Sequence, residues 1–329
     1  MPQKLQLSLS CGDYEITRAL IDGRVEVDGV DLIVLADGAA RDRQWRLQRG
    51  SECDIAELNA CAYFMARERG HPYVALPIFP HRRFRHGFIF INSAKGISKP
   101  SDLCGRRIGV DSGFQPAAAV WLRVILSDHF GVAHQTITWV TNRPEDIPFK
   151  PQQSLRMERV SAETSLDSLL VKGELDALIS PGMPPSFLRG EKGIERLFPN
   201  YQDLEIEYYR KTKIFPIMHL VMIREEIVKK HPWVASNIAH SFNEAKRLGY
   251  ERVRNPRVVP LAWFTSDWEE QLAILGSDPW AYGLNEFNRA NLETLIRYTQ
   301  EQGLTEGQAN LSELFIDISK EALAGTSGF

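Results

Sequence analysis

The feature that most restricts how this chain can fold is a rhythm that runs once and then starts over. Short apolar runs of strand type alternate with helical stretches from residue 5 to residue 92, and the alternation resumes after Asn92. Such alternation builds largely parallel sheets covered by helices, and its restart calls for two sheets. In the first pass LQLSLSCG (5–12) puts Leu5, Leu7 and Leu9 on one face and Gln6, Ser8 and Ser10 on the other, a strand that ends in the turn Cys11-Gly12-Asp13. YEITRALIDG (14–23) reads as a short helix stopped by Gly23, and VDLIVLA (30–36) as the second strand. After a polar helix over 41–50, residues 53–56 form a short strand that turns at Glu57-Leu58-Asn59 into a helix with Asn59 as its N-cap. YVALPIF (73–79) and GFIFIN (87–92) are further strands, and PHRRFRH between them is the densest cationic cluster in the chain.

The second pass gives a strand at 107–111, a long helix at 116–130, strands TITWVT (136–141) and ELDALIS (174–180), and a helix at 166–172. The apolar run IFPIMHLVMI (214–223) then returns the chain to the first lobe, and helices at 227–229, 233–254, 265–275 and 288–302 complete it. The expected fold is α/β, with 1–91 and 214–329 as lobe I, the C-terminal helices packed on it, and 92–213 as an inserted lobe II. This is the two-lobed type II periplasmic-binding-protein-like arrangement, with a ligand cleft between lobes. Ligands of such sheets bind beyond the carboxyl ends of the strands, so the turns that follow strands hold the candidate site.

Composition narrows the function. With 39 Lys plus Arg against 42 Asp plus Glu the net charge is −3, too little basic excess for bulk nucleic-acid binding. No stretch of about 18 apolar residues would span a membrane, and Asp13 and Glu15 interrupt any signal-type core, so a cytoplasmic location is expected. Cys11, Cys53, Cys61 and Cys104 form no CxxC pair and suit reduced thiols, at least three of them buried, rather than a zinc site. GxxxxGK[ST], GxGxxG and GxSxG are absent, so nucleotide-cradling loops and a serine-hydrolase elbow are not in view.

Seven segments in order together resemble the 4,5-dihydroxyphthalate decarboxylase family: LSLSCGDYEITRALIDGRV (7–25), CDIAELNACAYFMARERG (53–70), ALPIFPHRRFRHGFIFIN (75–92), DLCGRRIGVD (102–111), GELDALIS (173–180), YYRKTKIFPIMHLVMI (208–223) and DPWAYGLNEFNRANLETLIRY (278–298). The resemblance implies a cytoplasmic carboxy-lyase of phthalate degradation on the solute-binding fold. It would convert a small aromatic dicarboxylate to 3,4-dihydroxybenzoate (protocatechuate) and carbon dioxide without an organic cofactor. A divalent metal at the catechol oxygens and association into a homo-oligomer stay open. The runner-up is a non-catalytic cytoplasmic binder of an aromatic acid or similar anion, and a third reading is a decarboxylase of another hydroxylated benzoate. The chemistry asks for a base near the catechol oxygens, an acid near the ring carbon, and cations for the carboxylate that stays.

The candidates follow from that demand. His81, Arg82, Arg83, Arg85 and His86 put imidazoles and carboxylate-matching guanidiniums into six residues; the alternative is a solvated basic turn. In an extended chain His81, Arg83 and Arg85 share one face, with Arg82 and His86 on the other. Asp13 and Tyr14 follow the first strand and Glu57 the third; Asp13 is equally an N-cap, whereas the apolar neighbours Ile55, Ala56 and Leu58 make a surface role for Glu57 unattractive. Ser112, Gly113 and Gln115 lead into a helix whose free amides attract anions, and Ser180 holds the equivalent place after another strand; an ordinary turn is the alternative for each. Arg210 and His219 share one resembling segment, His219 being otherwise a core histidine. The proton donor is expected to be His81 or His86 and the hydroxyl base Asp13 or Glu57, with His219 next in line. His71, His129, His134, His231 and His240 are taken as structural, and the tryptophans as packing residues.

Overall fold

The computed structural model describes residues 3–36, 52–307 and 309–318, so the polar helix expected over 41–50 lies outside the described residues. In chain order the described strands are β1 (Leu5–Ser10), β2 (Val30–Leu35), β3 (Ile55–Asn59), β4 (Tyr73–Arg82), β5 (Ile89–Asn92), β6 (Arg107–Val110), β7 (Thr138–Thr141), β8 (Arg156–Arg159), β9 (Ala177–Ile179), β10 (Ile194–Arg196) and β11 (Ile217–Arg224). They form two sheets within two compact units, Met1–Arg82 with Ile217–Leu292 and Ala309–Phe329, and Arg83–Pro216 with Glu293–Gln308.

The first unit's sheet has the order β2-β1-β3-β11-β4. β1 pairs parallel with β2 from Leu5↔Val30 to Ser10↔Leu35 and parallel with β3. β11 lies antiparallel between β3 and β4. Its residues are buried on both faces, as a strand with neighbours on either side and a core above and below must be. Leu7, Leu9, Ile55, Ile78 and Val221 pack with Leu20, Val234, Ile238 and Phe242 into one core, each fully buried large side chain contributing roughly 1.5–3 kcal/mol. The helix Trp233–Val253 approaches closely because Gly249 carries no side chain: a Cβ there would stand 2.6 Å from the carbonyl oxygen of Glu15.

Two local expectations change here. Glu57 sits inside β3, opposite Val221 of β11, rather than in a turn, because cross-strand pairing extends β3 as far as Asn59. β4 likewise continues through His81 and Arg82, which pair with His219 and Ile217, so the basic cluster begins within a strand. The helix expected over 14–23 shrinks to Arg18–Ile21 behind a turn. Asn59 does cap the helix Ala60–Glu68, accepting from the amides of Cys61 and Ala62.

The second unit's sheet has the order β10-β5-β9-β6-β7-β8. β5 belongs to it, pairing antiparallel with β9 and β10, although the sequence placed 87–92 with the first lobe. A strand buried on both faces can complete either sheet, and only its partners decide. The change of unit therefore falls after Arg82 rather than after residue 91, and the return comes at Ile217 rather than 214. The helix Glu286–Glu301 is also divided, and its second half joins the second unit instead of packing wholly on the first. Arg123, fully buried, gives the reason: its guanidinium lies 3.6 Å from the centre of the Phe114 ring and donates to Gln302 Oε1 (2.6 Å) and Phe114 O (2.7 Å). A buried charge needs such acceptors.

Cys11, Cys53 and Cys61 are buried and Cys104 is exposed, none of the four in a disulfide. Trp121 and Trp139 are core residues, but Trp263 is 76% exposed and does not pack as expected. Among the described residues no helix is long and apolar enough to cross a membrane.

Candidate active site

Four elements of the first unit bring a compact polar cluster to the carboxyl-terminal end of β1, β3 and β4. β1 delivers Gly12 and Tyr14 through the turn that follows it, β3 delivers Glu57, β4 delivers His81, and β11, entering from the opposite direction, delivers His219. Within the sheet His219 stands opposite both Asn59 of β3 and His81 of β4.

Glu57 is 4% exposed and fully engaged. Its Oε2 accepts from the Gly12 amide (2.6 Å), and its Oε1 accepts from the Tyr14 hydroxyl (2.6 Å) and is paired with Nδ1 of His219. Thr17 Oγ1 donates to Gly12 O (2.7 Å) and fixes the turn that presents the amide. A side chain at Gly12 would displace the tyrosine, since a Cβ would fall 2.5 Å from the Tyr14 ring. The Tyr14 ring stacks on His81 with centroids 5.8 Å apart, and the His81 and His219 rings meet edge to face at 4.7 Å. Burial alone would push the Glu57 carboxyl upward, but the His219 charge and the three hydrogen bonds overcome it and hold the group below the ordinary glutamate value. Glu57 is thus a carboxylate at neutral pH. It engages Nδ1 of His219 and so fixes the ring through that nitrogen.

Of the residues singled out in the sequence, Glu57, Tyr14, His81 and His219 come together; the structure gives the others different partners. Asp13 is exposed and takes an ion pair from Arg18 (3.1 Å), neither capping a helix nor meeting Glu57. Arg82 is 3% exposed and donates to the side chain of Asn288. His86, 1% exposed, is enclosed by Phe130, Phe198 and Tyr208, with Glu205 at 3.7 Å. Alternation along the basic cluster ends because the chain leaves the extended form after Arg82 and passes into a 3₁₀ turn at His86–Phe88.

In the second unit Arg83 and Arg85 flank the Phe88 ring, at 5.3 and 5.4 Å from its centre. Burial, joined by the Arg83 charge and opposed by Glu205, pushes Arg85 down to about 9, which leaves it cationic at neutral pH. Arg85 Nη1 also donates to Pro181 O (3.4 Å), and Ser180 Oγ to Asp111 (3.4 Å). In the turn before the helix Ala117–Phe130 the amides are occupied by the chain's own Glu145, which accepts from Phe114 N (2.9 Å) and Gln115 N (3.1 Å). Gly113 donates to Val110 O, and the Gln115 side chain pairs with both backbone groups of Ile147. Ser112 at the same junction is half-buried. Arg210 is exposed in the last turn of the helix Tyr201–Thr212, where a cation complements the helix dipole. Sequence reasoning missed Glu145 and Asn288. The second stands in a resembling segment, and the first carries no local signal. Among the described residues no group of three His, Cys, Asp or Glu is placed to hold a metal ion.

No family model matches the chain. The sequence is 32% identical over 328 residues to 4,5-dihydroxyphthalate decarboxylase of Comamonas testosteroni, covering 97% of this chain and 98% of that protein. It is 36% identical over 214 residues to the protein of the same description from Pseudomonas putida, covering 63% and 82%. Among solved structures it is similar to the putative periplasmic sulfonate-binding protein SsuA of Methylobacillus flagellatus, with a TM-score of 0.60, 11% identity, and 98% and 95% of the two chains covered. That likeness shows the fold to be of the periplasmic-binding-protein type.

Proposed function

The chain belongs to the 4,5-dihydroxyphthalate decarboxylase family, and on that premise we propose that Glu57, His219, His81 and Tyr14 carry out its chemistry. The protein is a carboxy-lyase: 4,5-dihydroxyphthalate loses one carboxylate as carbon dioxide and becomes 3,4-dihydroxybenzoate. Each carboxylate of the substrate lies para to a hydroxyl. Removing the proton of that hydroxyl sends an electron pair through the ring to the carbon that bears the carboxylate, and this carbon takes up a proton. The bond to the carboxylate then breaks, carbon dioxide leaves, and the electron pair returns through the ring to the oxygen, which takes its proton back. One proton is consumed in each turnover.

The cluster divides this work. Glu57 has both oxygens occupied within the protein, so it acts as a fixed charge rather than touching the ring. Paired with that charge through Nδ1, His219 acts as the acid and supplies the proton to carbon from Nε2. His81, whose ring meets that of His219 edge to face, takes the hydroxyl proton. Tyr14 holds the geometry, bonded to Glu57 and stacked on His81. The single observation that supports this reading is the pairing of His219 with a buried Glu57 whose other oxygen is pinned by a backbone amide.

The test is to incubate the parent protein and His219→Gln with 4,5-dihydroxyphthalate and to measure carbon dioxide and 3,4-dihydroxybenzoate. Loss of a positioned acid lowers kcat by roughly 10² to 10⁴ while binding is largely kept. Full turnover in the variant moves the acid elsewhere, and a parent protein that binds substrate but releases no carbon dioxide removes the enzymatic reading itself.

A further inference from the structure

The segment 278–288, DPWAYGLNEFN, carries part of the family resemblance but has no part in the chemistry above. Two buried cations hold it. Lys246, 5% exposed, donates to Asp278 Oδ2 (2.6 Å) and Trp280 O (3.1 Å), with its Nζ 4.3 Å from the centre of the Tyr282 ring. Arg82 donates to the side-chain oxygen of Asn288 and lies against two rings, 5.4 Å from the centre of Phe79 and 5.2 Å from that of Phe287.

Asn288, fully buried, donates in turn to the carbonyls of Ala281 (2.8 Å) and Gly283 (2.7 Å), and the Gly283 amide donates to Pro77 O (2.7 Å). The circuit closes on β4, which it grips at Pro77 and at Arg82. His81 lies between those two anchor points. A buried guanidinium resists displacement because moving it away from its acceptor leaves a desolvated charge behind.

We propose that this brace is a positioning element of the site: Arg82 and Asn288 set the end of β4, and so hold the His81 ring against His219 and Tyr14. Arg82 acts through its neighbour in the chain and not on a substrate carboxylate. The proposal rests on the reading of His81 as the base, and the experiment separates the two.

Asn288→Asp keeps an acceptor for Arg82 but removes both donors to the 281–283 turn, and Arg82→Lys keeps a cation but loses the planar fork. Thermal unfolding establishes that each variant is folded, and Arg82→Lys serves alone where the aspartate variant is not. The first readout is the imidazole nitrogen and proton NMR signals of His81, which shift if the brace sets the ring. The second is kinetic: kcat falls by about 10-fold to 100-fold, the cost of a misplaced group, with KM little changed. In a His81→Gln background the same substitutions cost no more than about 2-fold, because coupled residues are not additive. Unmoved His81 signals, or an equal loss in both backgrounds, overturn the proposal. Moved signals together with full turnover of His81→Gln sustain the brace and remove only the role of His81 as base.

Discussion

Glu57→Gln separates charge from shape at the centre of the site. The Gly12 amide can only donate, so the oxygen of the new side chain must occupy the Oε2 position and the nitrogen the Oε1 position. There its two hydrogens face Tyr14 and His219. The tyrosine hydroxyl rotates to accept one, and His219 accepts the other only with a bare Nδ1, as a neutral ring. Every contact survives and the ion pair does not. Hydrogen bonds to charged groups contribute about 1.5–3 kcal/mol and neutral ones about 0.5–1.5, so the exchange costs roughly 1–3 kcal/mol, small against a typical total of about 5–15. The variant folds, yet the Nε2–H of His219 then belongs to a neutral ring, a far weaker acid than an imidazolium, and kcat falls by roughly 10² to 10⁴. The pH dependence carries a sign. Because Glu57 is held below the ordinary glutamate value, its contribution to stability is present above that value and is lost as pH falls through its own lowered one. The gap in unfolding free energy between parent and variant should therefore close on acidification. Urea denaturation from neutral pH to below the ordinary value of 4.5, beside a turnover assay, measures both effects. A gap that stays constant across that range, or turnover equal to the parent's, refutes the reasoning.

Gly12→Ala places a methyl group 2.5 Å from the Tyr14 ring, which must leave Glu57 and the His81 face. Turnover should drop while the unfolding temperature changes little, and unaltered kcat would show that Tyr14 is dispensable. Gly249→Ala sets a helix-propensity gain of about 1 kcal/mol against overpacking of about 1–3 kcal/mol where the obstacle is the immobile backbone of Glu15. A lower unfolding temperature is expected, and a higher one would mean that the helix has room there.

β1 could be read directly because it is buried on one face and its alternation says which. β5 could not be assigned, because a strand buried on both faces has no face to read and its partners lie about 90 and 100 residues on in the chain. The same holds for the site. Glu57 announced itself as an acid among apolar neighbours, but its pairing with a histidine 162 residues further along leaves no local trace. The turn after Ser112 reads in the sequence as a seat for a substrate carboxylate, and what the sequence hides is that Glu145 accepts from the amides of Phe114 and Gln115 there. His86 was hidden for a different reason: the extended backbone ends at Arg82, and the 3₁₀ turn that follows seats its ring among Phe130, Phe198 and Tyr208.

The place of β11 in its sheet has a consequence for how the protein is made. Synthesis delivers β3 and β4 early, yet the strand that joins them arrives only with residues 217–224, after the whole contiguous part of the second unit has emerged from the ribosome. Until then two buried-type strand edges wait without a partner, the condition that invites pairing with other chains. A chain that ended before Ile217 would lack both the clasp of its first sheet and the histidine that pairs with Glu57. Closure of the sheet is therefore also the event that brings His219 to Glu57, while the segment 278–288 that holds the end of β4 arrives later.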